Sequence, residues 1–173
     1  KFGGPAWKKF GDTDLYYLHL YDKTQADLDW HNPDVRAEAA KIVNFWKEKG
    51  VAGFRFDVLN VIGKDEVLVD SVDPDHEKPL YTDTPVVHKY IKELNRNTFG
   101  TDPEIVTVGE MSSTTIPNSI EYTNPDEHEL SMVFTFHHLK VDYDNGEKWS
   151  KVPFNFMELK SLLSTWQTEM DKG

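Results

Sequence analysis

The stretch GVAGFRFDVLNVIGK, residues 50–64, decides the fold of this chain. Its central part, residues 51–59, is short, apolar and compatible with β-structure, as expected for a strand that is covered on both faces. Asp57 lies near the end of that predicted strand. A carboxylate that follows an apolar run is expected at the rim of a packed core. The side chains that lie beside Asp57 at that rim therefore decide which chemistry it can perform.

A second strand is predicted at residues 104–108, within EIVTVGEMSS, and Glu110 follows it. Parallel strands end at one face of a sheet, where their loops surround a site. Neighbouring strands lie about 4.8 Å apart, and glycoside cleavage with retention needs two carboxyl groups about 5 to 5.5 Å apart. Asp57 and Glu110 are therefore candidates for the nucleophile and the proton donor of a glycosidase.

Arg55 precedes Asp57 by two residues, so along a strand both side chains point the same way. A guanidinium beside a carboxylate keeps it ionised, as a nucleophile requires. The apolar run before Glu110 favours partial desolvation, which raises the pKa of a carboxyl group toward that of a general acid. The alternatives are a structural pair of Arg55 with Asp57, and a Glu110 that faces water at a strand end.

Helical periodicity surrounds the predicted strands. Helices are predicted at residues 32–50 and 84–100, capped by Asn32 and Thr84 and each with a proline in its first turn. A last helix is predicted to begin near Asn155, with Glu158 at the capping-box spacing. A third strand is predicted at residues 131–136, whereas residues 111–129 have loop composition. Alternating strands and helices predict an α/β fold with a parallel sheet. Three strands do not close an eight-stranded barrel, which takes about 250 residues, so the alternatives are a small open sheet and a partial (β/α)8 TIM barrel containing central strands and helices only.

Residues 1–31 differ from the rest, because Gly, Asp and aromatic residues dominate and no long apolar periodicity is present. The alternating stretch DLYYLHLY, residues 14–21, can pair as a short exposed strand. The chain begins with Lys1 and has no apolar signal-peptide core, so we expect it to begin in the middle of a protein.

The composition excludes several kinds of partner. The 173 residues carry a formal net charge of −11 without a run rich in Lys or Arg, which makes nucleic acid a poor partner. No apolar stretch approaches about 18 residues, so no membrane span is predicted. The absence of cysteine excludes disulfides and thiolate metal sites and suits a reducing compartment, so we expect a cytoplasmic protein.

Two motifs carry a family resemblance. GFRFDVLNVI, residues 53–62, resembles the nucleophile region of glycoside hydrolase family 13, the α-amylase family, and VGEM, residues 108–111, resembles its acid/base region. The resemblance implies that Asp57 is the nucleophile, Glu110 the acid/base and Arg55 the residue that orients the nucleophile. It also implies a (β/α)8 barrel and no cofactor.

Other stretches narrow the resemblance to the oligo-1,6-glucosidase side of that family. FGGPAW, residues 2–7, and QADLDWHNPDVR, residues 25–36, resemble the end of a small inserted domain and its return to the barrel. This implies a division into residues 1–31, the tail of that domain, and residues 32–173, the central part of the catalytic barrel. Val58, directly after the nucleophile, resembles enzymes that act on α-1,6 or α,α-1,1 bonds.

Three further stretches are similar to the trehalose-6-phosphate hydrolases, which cleave α,α-trehalose 6-phosphate into glucose and glucose 6-phosphate. They are VGEMSSTT (108–115), MVFTFHHLKVDY (132–143) and ELKSLLSTWQTEM (158–170). His137, His138 and Lys140 follow the third predicted strand, and a phosphate needs such donors and positive charge. We expect Lys140 with His137 to contact a phosphate. The alternative is a lysine that faces water beside histidines that only pack.

Several expectations concern what the chain lacks. The remaining histidines have no metal-binding spacing, so no transition metal is predicted. The family also has an early region with an Asn-His pair and a late His-Asp pair, and neither is found in this sequence. We therefore expect an internal fragment of a longer enzyme that is inert alone and that self-associates through unclosed sheet edges.

Two other functions stay open beside the hydrolysis of trehalose 6-phosphate. One is an α-1,6-glucosidase that acts on isomaltose-type oligosaccharides. The other is a non-catalytic relative of the barrel enzymes that serves as a scaffold or binding subunit.

Overall fold

The computed structural model describes residues 4–72, 77–144, 146–150 and 152–171. Five strands and four α-helices are found in these ranges. In chain order they are β1 (Trp7–Lys9), β2 (Tyr16–Leu18), α1 (Pro33–Glu48), β3 (Gly53–Phe56), α2 (Pro85–Asn97), β4 (Val106–Glu110), α3 (Ile116–Thr123), β5 (Met132–Phe134) and α4 (Phe156–Met170).

The centre of the fold is a three-stranded parallel sheet in the order β3-β4-β5. Helix α2 connects β3 to β4, and helix α3 connects β4 to β5, so the chain forms two consecutive βαβ units. The carboxyl ends of the three strands consequently lie at one edge of the sheet. The prediction of an α/β fold with a parallel sheet is confirmed.

The hydrophobic core lies between the sheet and its helices. Val87 and Ile91 of α2 have no exposed surface, and Phe54 and Phe56 of β3 pack against the same cluster from the sheet. Because side chains alternate along a strand, Arg55 points to the opposite face. The core therefore fixes which face of β3 is available for chemistry.

Side-chain caps define the starts of two helices. Asn32 accepts a hydrogen bond from the Asp34 amide at 2.9 Å, and α1 begins at the next residue. Asn155 accepts one from the Glu158 amide at 3.1 Å at the start of α4. Both caps were predicted from the sequence, and both satisfy an amide that the helix itself leaves unpaired. The third predicted cap is wrong, because the Thr84 hydroxyl forms no cap hydrogen bond to α2 and donates instead to the Gly63 carbonyl at 2.8 Å.

The predicted strands differ from the observed ones at their ends. Strand β3 is shorter than the predicted residues 51–59, because the chain turns at Val58, which adopts a left-handed conformation with φ 41°, and then forms a 3₁₀ turn at Leu59–Val61. Strand β4 is shifted by two residues from the prediction, so Glu110 is its last residue rather than a loop residue. Strand β5 is likewise shorter than predicted.

Two elements were missed by the sequence analysis. Helix α3 lies within residues 111–129, which were predicted to be loop, and the Thr115 hydroxyl caps it by accepting from the Asn118 amide at 3.3 Å. A helix of eight residues with few apolar positions is too short for its helical periodicity to be detected in the sequence. Strand β1 was also missed, but its antiparallel pairing with β2 confirms the predicted short strand within residues 14–21.

Part of the apolar face of α1 is not covered by any described residue. Val43 faces the core, whereas Ile42, Phe45 and Trp46 are exposed. Ile42 and Trp46 recur with Val43 at helical spacing in the sequence, which predicts a shared apolar face, but in the structure only Val43 is buried. Within the described ranges the outer edges of β3 and β5 also lack a strand partner. Self-association through these edges and the division at residues 31 and 32 stay predictions. No helix among the described residues combines the length and the apolar character needed to cross a bilayer.

Candidate active site

Arg55 bridges the two predicted catalytic carboxyl groups. Its Nη1 donates to Asp57 Oδ1 and its Nη2 donates to Glu110 Oε2. The register of the sheet explains this arrangement, since Arg55 lies opposite Val108, and Glu110 follows Val108 by one pleat on the same face. The structure thus brings the three residues together at the carboxyl ends of β3 and β4.

The turn after β3 presents Asp57 to solvent. Val58 directly follows it in the left-handed region, where a β-branched side chain is strained. Strain of this kind persists only when the surrounding structure enforces it, and it is found preferentially at functional sites. The Asp57 side chain keeps 69% of its surface exposed, which suits a group that attacks a bound substrate.

Glu110 has a different environment, with only 10% of its side chain exposed. Burial raises the pKa of Glu110 because it disfavours the charged carboxylate, and the negative charge of Asp57 raises it further. Arg55 acts in the opposite direction and lowers the pKa of Glu110, but the net shift is upward. A buried carboxyl with a raised pKa beside an exposed carboxylate is the arrangement from which acid and nucleophile roles are assigned.

A cavity of about 530 Å³ opens beside Glu110. Its volume is in the range of small-molecule sites, about 300 to 1,000 Å³. The segments that follow β2, β3, β4 and β5 all contribute to its walls. The residues that line the cavity include Tyr21, Val58, Lys78, Glu110, Ser113, Lys140 and Lys148.

Positive charge collects in this cavity. Lys78 donates from Nζ to Ser113 Oγ at 3.0 Å. Lys140 is exposed, yet the protein atoms around its ammonium group and the nearby charge of Lys78 lower its pKa. Two ammonium groups that repel each other in this way are stabilised by a bound anion, and phosphate is such an anion. Lys148 lines the same cavity.

His137 and His138 do not line that cavity. They line a separate space of about 250 Å³ between β5 and α4, where the His137 ring lies 5.2 Å from the Trp166 ring. Burial and the charge of Lys140 lower the pKa of His137, which favours its neutral form. His137 and Lys140 thus line different cavities, with the histidines in the 3₁₀ turn at His137–Leu139 that lies against α4. The expected contact of both residues with one phosphate stays a prediction. Of the four predicted substrate-binding residues, Val58 and Lys140 meet Glu110 in the cavity.

Some residues of this site were missed by the sequence analysis. Tyr21 lines the cavity, and burial together with the charges of Asp57 and Glu110 raises its pKa to about 12. Its phenol therefore stays protonated and can donate a hydrogen bond. The aromatic run at residues 16–21 was a signal for Tyr21, whereas nothing near Lys78 in the sequence points to a site.

One cluster outside the cavity has the composition of a metal site. Ligand atoms of His88, Glu121 and Glu129 lie within 4.8 Å of one another. However, Lys92 Nζ lies 3.6 Å from Glu129 Oε1, so the positive charge beside this carboxylate is supplied by a lysine side chain. His88 Nδ1 lies 3.0 Å from the same oxygen, and the group is best described as a buried ion-pair network. The expected absence of a transition metal stays a prediction, and His76 lies outside the described residues.

Comparison with known proteins gives a consistent set of relatives. Residues 1–173 match the family described as alpha amylase, catalytic domain. The chain is 51% identical, over all of its length, to the trehalose-6-phosphate hydrolase of Bacillus subtilis (strain 168), and it covers 30% of that protein. It is 40% identical, over 98% of its length, to the oligo-1,6-glucosidase of Parageobacillus thermoglucosidasius, and it covers 31% of that protein.

A solved structure extends the likeness to three dimensions. The chain matches the trehalose-6-phosphate hydrolase of Bacillus licheniformis with a TM-score of 0.93 and 54% identity, over 99% of this chain and 31% of that one. The prediction that the open sheet is part of a (β/α)8 barrel is thereby confirmed. The chain spans about a third of the length of the relatives it matches.

Proposed function

This chain belongs to the alpha-amylase catalytic-domain family, and we propose that the protein of which it forms part hydrolyses α,α-trehalose 6-phosphate with retention at the anomeric carbon. The observation that carries the proposal is the contact of Arg55 with both Asp57 and Glu110 at the edge of a lysine-lined cavity. Identity to a trehalose-6-phosphate hydrolase exceeds identity to an oligo-1,6-glucosidase, 51% against 40%, which supports the phosphorylated substrate.

The proposed reaction has two steps that share one pair of carboxyl groups. In the first, the Asp57 carboxylate attacks the anomeric carbon, while Glu110 gives its proton to the glycosidic oxygen and the bond to the leaving sugar breaks. In the second, the Glu110 carboxylate takes a proton from water, and the resulting hydroxide equivalent attacks the glucosyl ester on Asp57. Glucose leaves, and both carboxyl groups return to their initial states.

The environments of the two groups support these roles. Glu110 is buried with a raised pKa, which favours the protonated form that the first step consumes. Asp57 is exposed, and the Arg55 guanidinium forms an ion pair with it. The reversed assignment would require the buried group, whose pKa is raised, to attack as the anion.

The position of the lysines gives the substrate an orientation. Lys78 and Lys140 line the cavity together with Glu110, the group that protonates the leaving oxygen. A phosphate bound by these lysines therefore belongs to the leaving sugar. The proposal is that glucose 6-phosphate departs first and that an unphosphorylated glucosyl group stays on Asp57.

The α-1,6-glucosidase remains a second candidate, because the chain is 40% identical to an oligo-1,6-glucosidase and carries Val58 after the proposed nucleophile. The two candidates differ in whether positive charge in the cavity takes part in recognition. An isomaltose-type substrate has no group that needs Lys78 or Lys140.

The test is a comparison of kcat/KM for trehalose 6-phosphate, trehalose and isomaltose in the complete protein that contains this chain. The proposal predicts the highest value for trehalose 6-phosphate and its loss in Asp57→Asn. A higher value for isomaltose would establish the second candidate. Absence of turnover with all three substrates would favour the non-catalytic scaffold. A cytoplasmic location stays a prediction, which cell fractionation tests.

A further inference from the structure

We infer that Asn60 is a positioning residue, which holds Asp57 and Glu110 at their working separation by tying together the segments that follow β3 and β4. The inference rests on the proposed function, because the two carboxyl groups are those of the proposed reaction. Asn60 has no exposed surface, and the proposed reaction gives it no direct role. Its side chain contacts Ser112, in the segment that follows Glu110, and Asp83, in the loop before α2.

The Asn60 side chain binds both backbone groups of one residue. Its Oδ1 accepts from the Ser112 amide at 3.0 Å, and its Nδ2 donates to the Ser112 carbonyl at 2.9 Å. A carboxamide that satisfies one N–H and one C=O in this way replaces a missing strand neighbour. Asn60 follows Asp57 by three residues, and Ser112 follows Glu110 by two.

This link lies where backbone pairing between the two strands has ended. The register of β3 with β4 ends at the pair Phe56 and Gly109. Asp57 and Glu110 are the next residues on their respective chains, and the Asn60 to Ser112 contact is on their far side. The two carboxyl groups therefore lie between two links that join the same two chain segments. One link is the backbone pairing of β3 with β4, and the other is the pair of hydrogen bonds between Asn60 and Ser112.

Asp83 fixes the orientation of the Asn60 amide. Asn60 Nδ2 donates to Asp83 Oδ1 at 2.8 Å, and the Asp83 amide donates to the Asn60 carbonyl at 3.0 Å. Because the amide nitrogen has two acceptors and the amide oxygen has one donor, only one orientation of the carboxamide satisfies all three contacts. Asp83 adopts φ 54°, a left-handed conformation that aspartate tolerates better than most residues.

Helix α3 holds Asp83 from the other side. Asn118 Nδ2 donates to Asp83 Oδ2 at 3.0 Å, and the buried Tyr122 hydroxyl donates to Asp83 Oδ1 at 2.9 Å. Burial and the negative charge of Asp83 raise the pKa of Tyr122, so its hydroxyl stays a donor. Both oxygens of the Asp83 carboxylate thus accept hydrogen bonds, and the carboxylate links Asn60 to two residues of α3.

The consequence for the reaction is geometric. Neither Asn60 nor Asp83 is placed to touch the substrate, but loosening their contact frees the segment after Glu110 to move relative to Asp57. A displacement of about 1 Å between reacting groups costs about 100-fold in rate. It also admits water to Glu110 and so removes part of the burial that raises its pKa.

The test compares Asn60→Ala with two other variants of the complete protein. Asp83→Asn is the milder second variant, which weakens the support of the Asn60 amide but leaves Asn60, Ser112 and their mutual hydrogen bonds in place. The control is Thr98→Val, which removes a buried hydrogen bond from Thr98 Oγ1 to the Leu94 carbonyl at the opposite end of α2. Circular dichroism and thermal unfolding establish that each variant is folded and how much stability it has lost.

The inference predicts that Asn60→Ala lowers kcat about 100-fold with a KM within a few-fold of the parent, and that Asp83→Asn lowers kcat several-fold. It also predicts that the alkaline limb of the kcat/KM profile moves to lower pH in Asn60→Ala, since the acid form of Glu110 is then lost earlier. Thr98→Val should lose stability without either change.

A kcat that follows only the loss of stability, so that Thr98→Val and Asn60→Ala behave alike, would overturn the inference. If Asn60→Ala does not fold, an unchanged kcat in Asp83→Asn overturns it in the same way. An inactive parent protein is a separate result, which contradicts the proposed function and is visible before any variant is compared.

Discussion

Arg55 on β3 forms an ion pair with Glu110 on β4, and the parallel register of the two strands is what brings the side chains together. The same guanidinium contacts Asp57. It lies over the Phe134 ring, 5.7 Å from the ring centroid, which restricts its position further. One cation therefore contacts two carboxyl groups with different proposed roles, and its removal has consequences that can be measured.

Replacing Arg55 by Gln should lower kcat/KM by about 100-fold or more, because the nucleophile loses the group that orients it. The pH profile should change in a defined direction. Arg55 lowers the pKa of Glu110, so its removal raises that pKa and moves the alkaline limb of kcat/KM to higher pH. A pH titration of initial rates checks this, and an alkaline limb that moves to lower pH would contradict the assignment of Glu110 as the acid.

The lysines of the cavity should act on phosphorylated substrate alone. Lys140→Ala and Lys78→Ala are each expected to lower kcat/KM for trehalose 6-phosphate about 10- to 100-fold, since each removes a charge-assisted contact of about 1.5 to 3 kcal/mol. Rates with trehalose or isomaltose should change little. Lys160→Ala, at an exposed position of α4, is the matched control and should be neutral with every substrate.

An equal loss with phosphorylated and unphosphorylated substrates would show that Lys78 and Lys140 support the cavity and do not recognise phosphate. Added salt provides an independent check. Salt should reduce the preference of the parent protein for trehalose 6-phosphate over trehalose, because exposed charges are screened. It should have less effect on this preference in the double variant Lys78→Ala with Lys140→Ala.

The buried pair of His88 and Glu129 predicts a pH-dependent stability. Burial alone would lower the pKa of His88, but the hydrogen bond to Glu129 and the charges of Glu129 and Glu121 outweigh it, and the pKa is raised above 6.5. A folded-state pKa above the unfolded value stabilises the fold fully below the unfolded pKa, and this contribution is lost as pH rises through the folded value.

His88→Gln should therefore cost more stability in mild acid than in mild alkali. The expected loss below pH 6.5 is about 1.5 to 3 kcal/mol, the contribution of a hydrogen bond to a charged group, because glutamine can donate to Glu129 but carries no positive charge. Urea unfolding of both forms on either side of that pH measures the difference. Equal losses at the two pH values would show that His88 acts only by packing against Tyr122.

The chain by itself should not turn over substrate. The family resemblance places a third acidic residue in a late region that this sequence lacks, and removal of one member from a catalytic set that acts as a unit costs many orders of magnitude. The measurement is release of chromophore from an activated α-glucoside by the purified 173-residue chain. Turnover that Asp57→Asn abolishes would refute the expectation.

The sequence was sufficient where a local signal decides the structure. The caps at Asn32 and Asn155 are local hydrogen bonds, and both are found as predicted. The meeting of Arg55, Asp57 and Glu110 follows from the two-residue period of strands and from the common edge of a parallel sheet. These rules need no knowledge of packing.

The other features of the candidate site depend on contacts between residues that are distant in the sequence. The direction of His137 is set by its packing against Trp166, and the position of Lys78 is set by its contact with Ser113. Asn60 directly follows the predicted strand at residues 51–59 and carries no local signal of its role, and its partner Ser112 becomes a neighbour only after the sheet forms. Periodicity and capping rules do not contain this information.

Covalent trapping of Asp57 is the most direct test of the central claim. A fluorinated glucosyl substrate with an activated leaving group should accumulate an ester on the complete protein, and digestion followed by mass spectrometry should locate the fluoroglucosyl group on Asp57. Its absence from Asp57→Asn completes the test. A label on Glu110, or no adduct in a protein that hydrolyses trehalose 6-phosphate, would contradict the account.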